Sequence, residues 1–131
     1  MEEILKFLQD NKVFFLATVD GDQARVRPMG FIMIYNGKLT FGTNNKKPMF
    51  AQIKANPKIE ICSCNADGAW LRVSGKVAFN PDRAAKEKAL EVSPNLKRMY
   101  SPDDGVFELF HFESARAVFN DMKGGNREVQ I

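Results

Sequence analysis

The dipeptide Asn36-Gly37 constrains this chain more than any other feature, because it separates two β-rich runs, Phe31–Tyr35 and Lys38–Gly42. A two-residue type I′ turn needs positive φ at both central positions, which Asn followed by Gly tolerates best. With that turn setting the register, Tyr35 faces Lys38, Met33 faces Thr40 and Phe31 faces Gly42. Extending the ladder outward puts Gly30 opposite Thr43, Met29 opposite Asn44 and Arg27 opposite Lys46. The far end of the hairpin then collects Arg25, Arg27, Lys46 and Lys47 beside Thr43, Asn44 and Asn45, and Pro48 opens a helix there. Cations, hydroxyl and amide donors and free backbone N–H groups make an anion site, most naturally for a phosphate. The alternative is a strand end whose charges are simply solvated, and a bulge anywhere along it would swap the faces.

The 131 residues suit one domain, residues 1–131, with a real core. A net charge of +3, dispersed along the chain, is too small for the basic face of a nucleic-acid binder. No apolar run approaches the ~20 residues of a membrane span. Met1-Glu2-Glu3 is acidic where a signal peptide would be basic, so the expected location is the cytoplasm, with no membrane partner. Two cysteines and one histidine cannot furnish a four-ligand zinc site without carboxylates, and no metal is expected. Cys62 and Cys64 share one face of a strand, as buried small apolar residues or, alternatively, as a redox pair.

Along the chain, Ile4, Leu5, Phe7 and Leu8 mark a helix from Glu2 to about Asn11. Val13–Val19 reads as a strand buried on both faces, and Asp20-Gly21-Asp22 turns it into the central hairpin, so that the first three strands form a meander. Met49–Ala55 is a short helix, started by Pro48 and stopped by Asn56-Pro57. Lys58–Cys64 and Ala69–Phe79 are strands. In the second, Leu71, Val73, Val77 and Phe79 share one face, Trp70, Arg72, Ser74 and Lys76 the other, and Gly75 marks a bend. Asn80-Pro81-Asp82 caps a helix over Arg83–Val92, and a shorter helical piece spans Asn95–Tyr100. Val106–Phe112 and Ala115–Phe119 read as two further strands, and Met122–Ile131 as a tail that is mobile or docked on a partner. Six or seven short strands with a few helices fit a closed or split antiparallel barrel, filled by the eleven phenylalanines.

The motif order carries a resemblance. A strand bearing Arg25-Val-Arg-Pro28 is followed by the Asn-Gly hairpin and Leu39-Thr-Phe-Gly-Thr-Asn-Asn-Lys-Lys47. A helix ending in Asn56-Pro57 and a strand with Trp70-Leu-Arg-Val-Ser-Gly75 come next. This is similar to the pyridoxamine 5′-phosphate oxidase-like FMN-binding split barrels, especially the small members related to nitroimidazole-resistance proteins. The resemblance covers Val13–Phe79 well and the C-terminal strands loosely. It implies a mainly β, six- to seven-stranded antiparallel split barrel and a homodimer with FMN at the subunit interface. Arg25, Val26, Arg27, Pro28 and Met29 would line the isoalloxazine and ribityl chain, and Thr43, Asn44, Lys46 and Lys47 would hold the phosphate. Trp70 and Arg72 would reach the neighbouring subunit's cofactor or fill the dimer seam. The implied activity is that of a small oxidoreductase acting on a small molecule, nitro-aromatic compounds among them. The alternatives are a flavin-binding electron carrier without its own substrate, or a site for another phosphorylated cofactor such as a deazaflavin. Since a flavin carries its own redox chemistry, no catalytic side chain is assigned, and His111 reads as structural. The C-terminal substrate-contacting extension of true pyridoxamine phosphate oxidases has no counterpart in Phe107–Ile131, which argues against vitamin B6 oxidation.

Overall fold

In the computed structural model, which describes all 131 residues, Asn36 and Gly37 adopt φ of 49° and 73°, so the central turn forms as expected. It joins β3 (Ile32–Tyr35) to β4 (Lys38–Asn44), with Tyr35 opposite Lys38 and Met33 opposite Thr40. The ladder stops at Ile32 opposite Phe41, which corrects the longer register expected from the sequence. The reason is a break at Gly30-Phe31. Before it, β2 (Gln23–Met29) pairs over its whole length with β1 (Phe14–Asp20), from Met29 opposite Phe14 to Gln23 opposite Asp20. The backbone groups of β2 are therefore used on β1, and Arg27 lies opposite Leu16 instead of Lys46. On its other edge β4 pairs with β7 (Phe107–Asn120), which puts Thr43 opposite Glu108 and Asn44 opposite Phe107. The expected meander of the first three strands thus becomes two hairpins, β1–β2 and β3–β4, joined by a corner at Gly30-Phe31.

With β5 (Lys58–Cys64), β6 (Trp70–Asn80) and β8 (Asn126–Val129), the chain makes an eight-stranded antiparallel sheet ordered β2-β1-β5-β6-β7-β4-β3, with β8 paired to β7. This is a split barrel whose sheet is not closed, and the expected six or seven strands become eight. The additional strand comes from Met122–Ile131, which folds back on its own chain: Arg127 pairs with Glu3 and lies over the Phe119 ring, itself edge-on to Phe7. The two late strands expected near 106 and 119 are one strand of 14 residues, in which Glu113 is the extra residue of a bulge beside Lys76 and Val77.

Helices α1 (Glu2–Asp10) and α2 (Pro48–Ala55) cover the barrel, where Ile4, Leu8, Met49 and Ile53 join Phe14, Leu16, Phe41, Phe110 and Phe112 in the main core. A second core lies on the other face of β7, where Phe107 and Leu109 pack with Met33 against Ala85, Ala89 and Leu90 of α3 (Arg83–Val92). Strand β7 is apolar on both faces at this end because both are covered. The first strand behaves differently: Phe14, Leu16 and Thr18 are buried while Phe15 and Val19 are exposed. The expectation that β1 is buried on both faces is thereby corrected, since no element of this chain covers its outer side. Cys62 on that side is only half-buried and Cys64 is exposed, so neither is the fully buried residue expected.

Candidate functional site

A cleft of about 180 Å³ opens where the end of β2, the end of β4 and the start of α2 meet. Pro28, Met29, Gly30 and Phe31 form one wall, and Gly42, Thr43 and Lys47 form another. The third comes from a segment outside every site residue singled out in the sequence: Leu96 on the 3-10 turn Pro94–Arg98 after α3, Met99 and Tyr100 just past it, and Phe107 at the start of β7. The only advance signal for it is the bracket Ser93-Pro94 and Ser101-Pro102, which confines a short strap between α3 and β7.

The strap is held in place by polar contacts. Asp104 accepts hydrogen bonds from the backbone N–H groups of Ser101, Val106 and Phe107 at 2.8–3.0 Å. Burial pushes the Asp104 carboxyl up, but these N–H donors outweigh it and hold the pKa below the ordinary value. Arg83 makes a two-pronged pair with Asp103. Tyr100 stacks on Phe107, ring centroids 4.8 Å apart, and its hydroxyl accepts from Asn44 Nδ2 at 2.7 Å. The same Asn44 accepts from the backbone N–H of Lys46, so it fixes the loop leading into α2.

Thr43 is the chemically incomplete member. It is 3% exposed, lines the cleft, and its hydroxyl has no hydrogen-bond partner. A buried hydroxyl left unpaired costs about 1–3 kcal/mol, so such groups normally find partners. Lys47 is the N-cap residue of α2, with Pro48 at the first helical position and no side chain capping the helix. The helix dipole favours negative charge at this end, beside the residue that carries the ammonium.

The remaining residues singled out in the sequence lie elsewhere. Lys46 is exposed beside Lys47. Arg25 is paired with Asp20 at 3.1 Å on the surface. Arg27 points to the inner side of its strand, toward Thr18 and Gln52, and burial lowers its pKa. The four cations therefore do not gather at one strand end as the extended hairpin predicts, because that ladder does not form. Val26, 67% exposed, lies on the outer face of the sheet, opposite Ala17. Arg72 lies on that face too, in a row running Pro28, Phe15, Cys62, Arg72, Val118 across four strand pairings. Trp70 is half-buried opposite Cys64. No group of three or more His, Cys, Asp or Glu side chains is placed to hold a metal, and no helix is long and apolar enough to cross a membrane.

Residues 1–120 match the family model described as pyridoxamine 5′-phosphate oxidase. Among solved structures, a NimC/NimA family protein from Clostridium acetobutylicum is 44% identical, with a TM-score of 0.95 over 100% of this chain and 92% of that one. A protein from the same organism related to general stress protein 26 is 19% identical, with a TM-score of 0.77 over 99% of this chain and 93% of that one. A heme binding protein from Mycobacterium smegmatis is 15% identical, with a TM-score of 0.72 over 92% of this chain and 53% of that one. The last two share the fold. No curated protein matches the chain.

Proposed function

Because the chain belongs to the pyridoxamine 5′-phosphate oxidase family, we propose that it is an FMN-binding flavoprotein, a small homodimeric oxidoreductase that takes its cofactor into this cleft. The observation that carries the reading is Thr43, a lining residue whose buried hydroxyl lacks a partner, together with Lys47 at the α2 N-terminus. A phosphate oxygen would complete Thr43, and the ammonium and the helix end would balance its charge. Lys46 and Asn44 lie beside this corner, and Pro28 and Met29 would flank the flavin ring. When bound, FMN would supply hydride or electron transfer to a small planar acceptor, nitro-aromatic compounds among them.

The cleft holds about 180 Å³, whereas pockets for ligands of this size enclose about 300–1,000 Å³. One chain therefore offers part of a site, and a second copy would supply the rest. The outer face of β1, β2, β5 and β6 suits that role, since Phe15 is 49% exposed, Val19 37% and Val26 67%. Trp70 and Arg72 would reach the cofactor across this shared face.

A flavin module that only carries electrons is the second reading, favoured by a lining whose only titratable groups are Lys47 and Tyr100. Turnover with reduced nicotinamide and an acceptor separates the two. A deazaflavin phosphate would use the same donors as FMN. The visible spectrum of the freshly purified protein is the direct test. Flavin bands and stoichiometric release of FMN on denaturation are expected, and a colourless protein that takes up no added FMN overturns the proposal. Lys47→Ala is expected to weaken FMN binding by about 1–3 kcal/mol, the scale of a lost charge-assisted hydrogen bond. Titration of the apoprotein by flavin fluorescence measures it.

A further inference from the structure

Arg27, which the resemblance would set against the flavin, is engaged within its own chain. Its guanidinium donates to the carbonyl of Leu16 at 3.1 Å, to Thr18 Oγ1 at 2.8 Å and to Gln52 Oε1 at 2.8 Å. The Thr18 hydroxyl in turn donates to the same Gln52 oxygen at 2.6 Å. Arg27, Thr18 and Gln52 thus close a three-membered hydrogen-bonded ring that ties β2 to β1 and both to the middle of α2. Thr18 is 3% exposed and Arg27 half-buried, so the ring is shielded from competing water. All partners of the guanidinium are neutral, so they orient the cation without cancelling its charge.

The position of this ring gives it a consequence. Arg27 directly precedes Pro28, Met29 and Gly30, which form one wall of the cleft. Gln52 lies one turn along the helix whose N-terminus carries Lys47 of the opposing wall. β2 and β4 are not paired with each other, so no strand ladder sets the distance between these walls. We propose that Gln52 is a positioning residue: through Arg27 and Thr18 it fixes the end of β2 against α2 and so sets the gap between the two walls. Its bearing on cofactor rests on the flavin reading above, while its bearing on the walls does not.

The test compares the full-length protein with Gln52→Met, which keeps length but removes the acceptor, and with Gln52→Glu, whose carboxylate accepts both donors. Hydrogen exchange is followed at Met29–Phe31 and Lys46–Phe50, and FMN binding by fluorescence. Gln52→Met is expected to exchange about tenfold faster at both segments, with the β5 and β6 amides unchanged. It is also expected to bind FMN about tenfold more weakly, while Gln52→Glu keeps the parent's exchange pattern. Parent-like exchange in Gln52→Met, or equal loosening in both variants, overturns the proposal. If Gln52→Met does not fold, Thr18→Val, which removes the ring's hydroxyl at nearly constant volume, is judged by the same criteria. A parent protein that takes up no FMN removes the flavin reading alone, since the exchange result still decides whether the ring sets the walls.

Discussion

His111 illustrates how much a single residue's setting decides. It sits on β7 between Thr40 and Ala78, half-buried, away from the residues that line the cleft. Burial lowers its pKa from the ordinary 6.5, and Lys38 adds to the effect while Glu113 opposes it. The unfolded chain therefore takes up a proton at higher pH than the folded one, so this group's contribution to stability is complete above 6.5 and is lost as pH falls through the folded value. Urea unfolding measured from pH 7.5 to pH 5 is expected to show a falling midpoint, with a smaller slope in His111→Gln. Arg27 teaches a related lesson. Its type and spacing suit an anion site, yet an inward rotation gives it to Thr18 and Gln52.

At the scale of elements, the β6–β7 pair carries the bulge at which the sheet bends. Gly75 faces Ala115 across this pair, and a Cβ at position 75 would lie 2.0 Å from the Ser114 carbonyl oxygen. The strands approach here more closely than any side chain allows, and the Glu113 bulge follows directly. Gly75→Ala must push backbone apart, so a destabilisation of about 2–3 kcal/mol is expected, at the upper end for overpacked sites. A lower urea midpoint with unchanged slope would register it. The strap from Pro94 to Phe107 is the other decisive element, since it brings Leu96, Met99 and Tyr100 to the cleft. Its anchors, Asp103 and Asp104, sit in the loop just before β7.

For the whole molecule, the important asymmetry lies between the two sides of the sheet. The inner side is filled by the phenylalanine cluster of Phe14, Phe41, Phe110 and Phe112, whose rings lie 5.3–5.8 Å apart in edge-on and stacked pairs. The outer side of β1 and β2 carries Phe15, Val19 and Val26 with nothing from the chain over them. An alternating strand that shows apolar side chains on its outer face is suited to a second copy. Val26→Glu is expected to dissociate the proposed dimer and to weaken FMN binding with it, while leaving the fold intact. Sedimentation of parent and variant, with and without FMN, measures both effects. A parent that sediments as a monomer removes the shared cleft from the proposal.

Local chemistry made much of this legible in advance. Asn36-Gly37 specified its turn because few residue pairs adopt positive φ twice, and Pro48, Asn56-Pro57 and Pro81-Asp82 marked helix ends for equally local reasons. The alternation of Leu71, Val73 and Val77 against Arg72 and Lys76 assigned the faces of β6, because side-chain direction repeats every two residues. Tertiary structure decided the pairings that no short turn dictates, since every strand offers the same backbone donors and acceptors to any neighbour. It therefore sent β4 to β7, ended the β3–β4 ladder at Ile32, and turned Arg27 away from Lys46 toward Gln52. It also laid the strap beside Thr43 and Lys47, a contact between segments some fifty residues apart that no local pattern encodes.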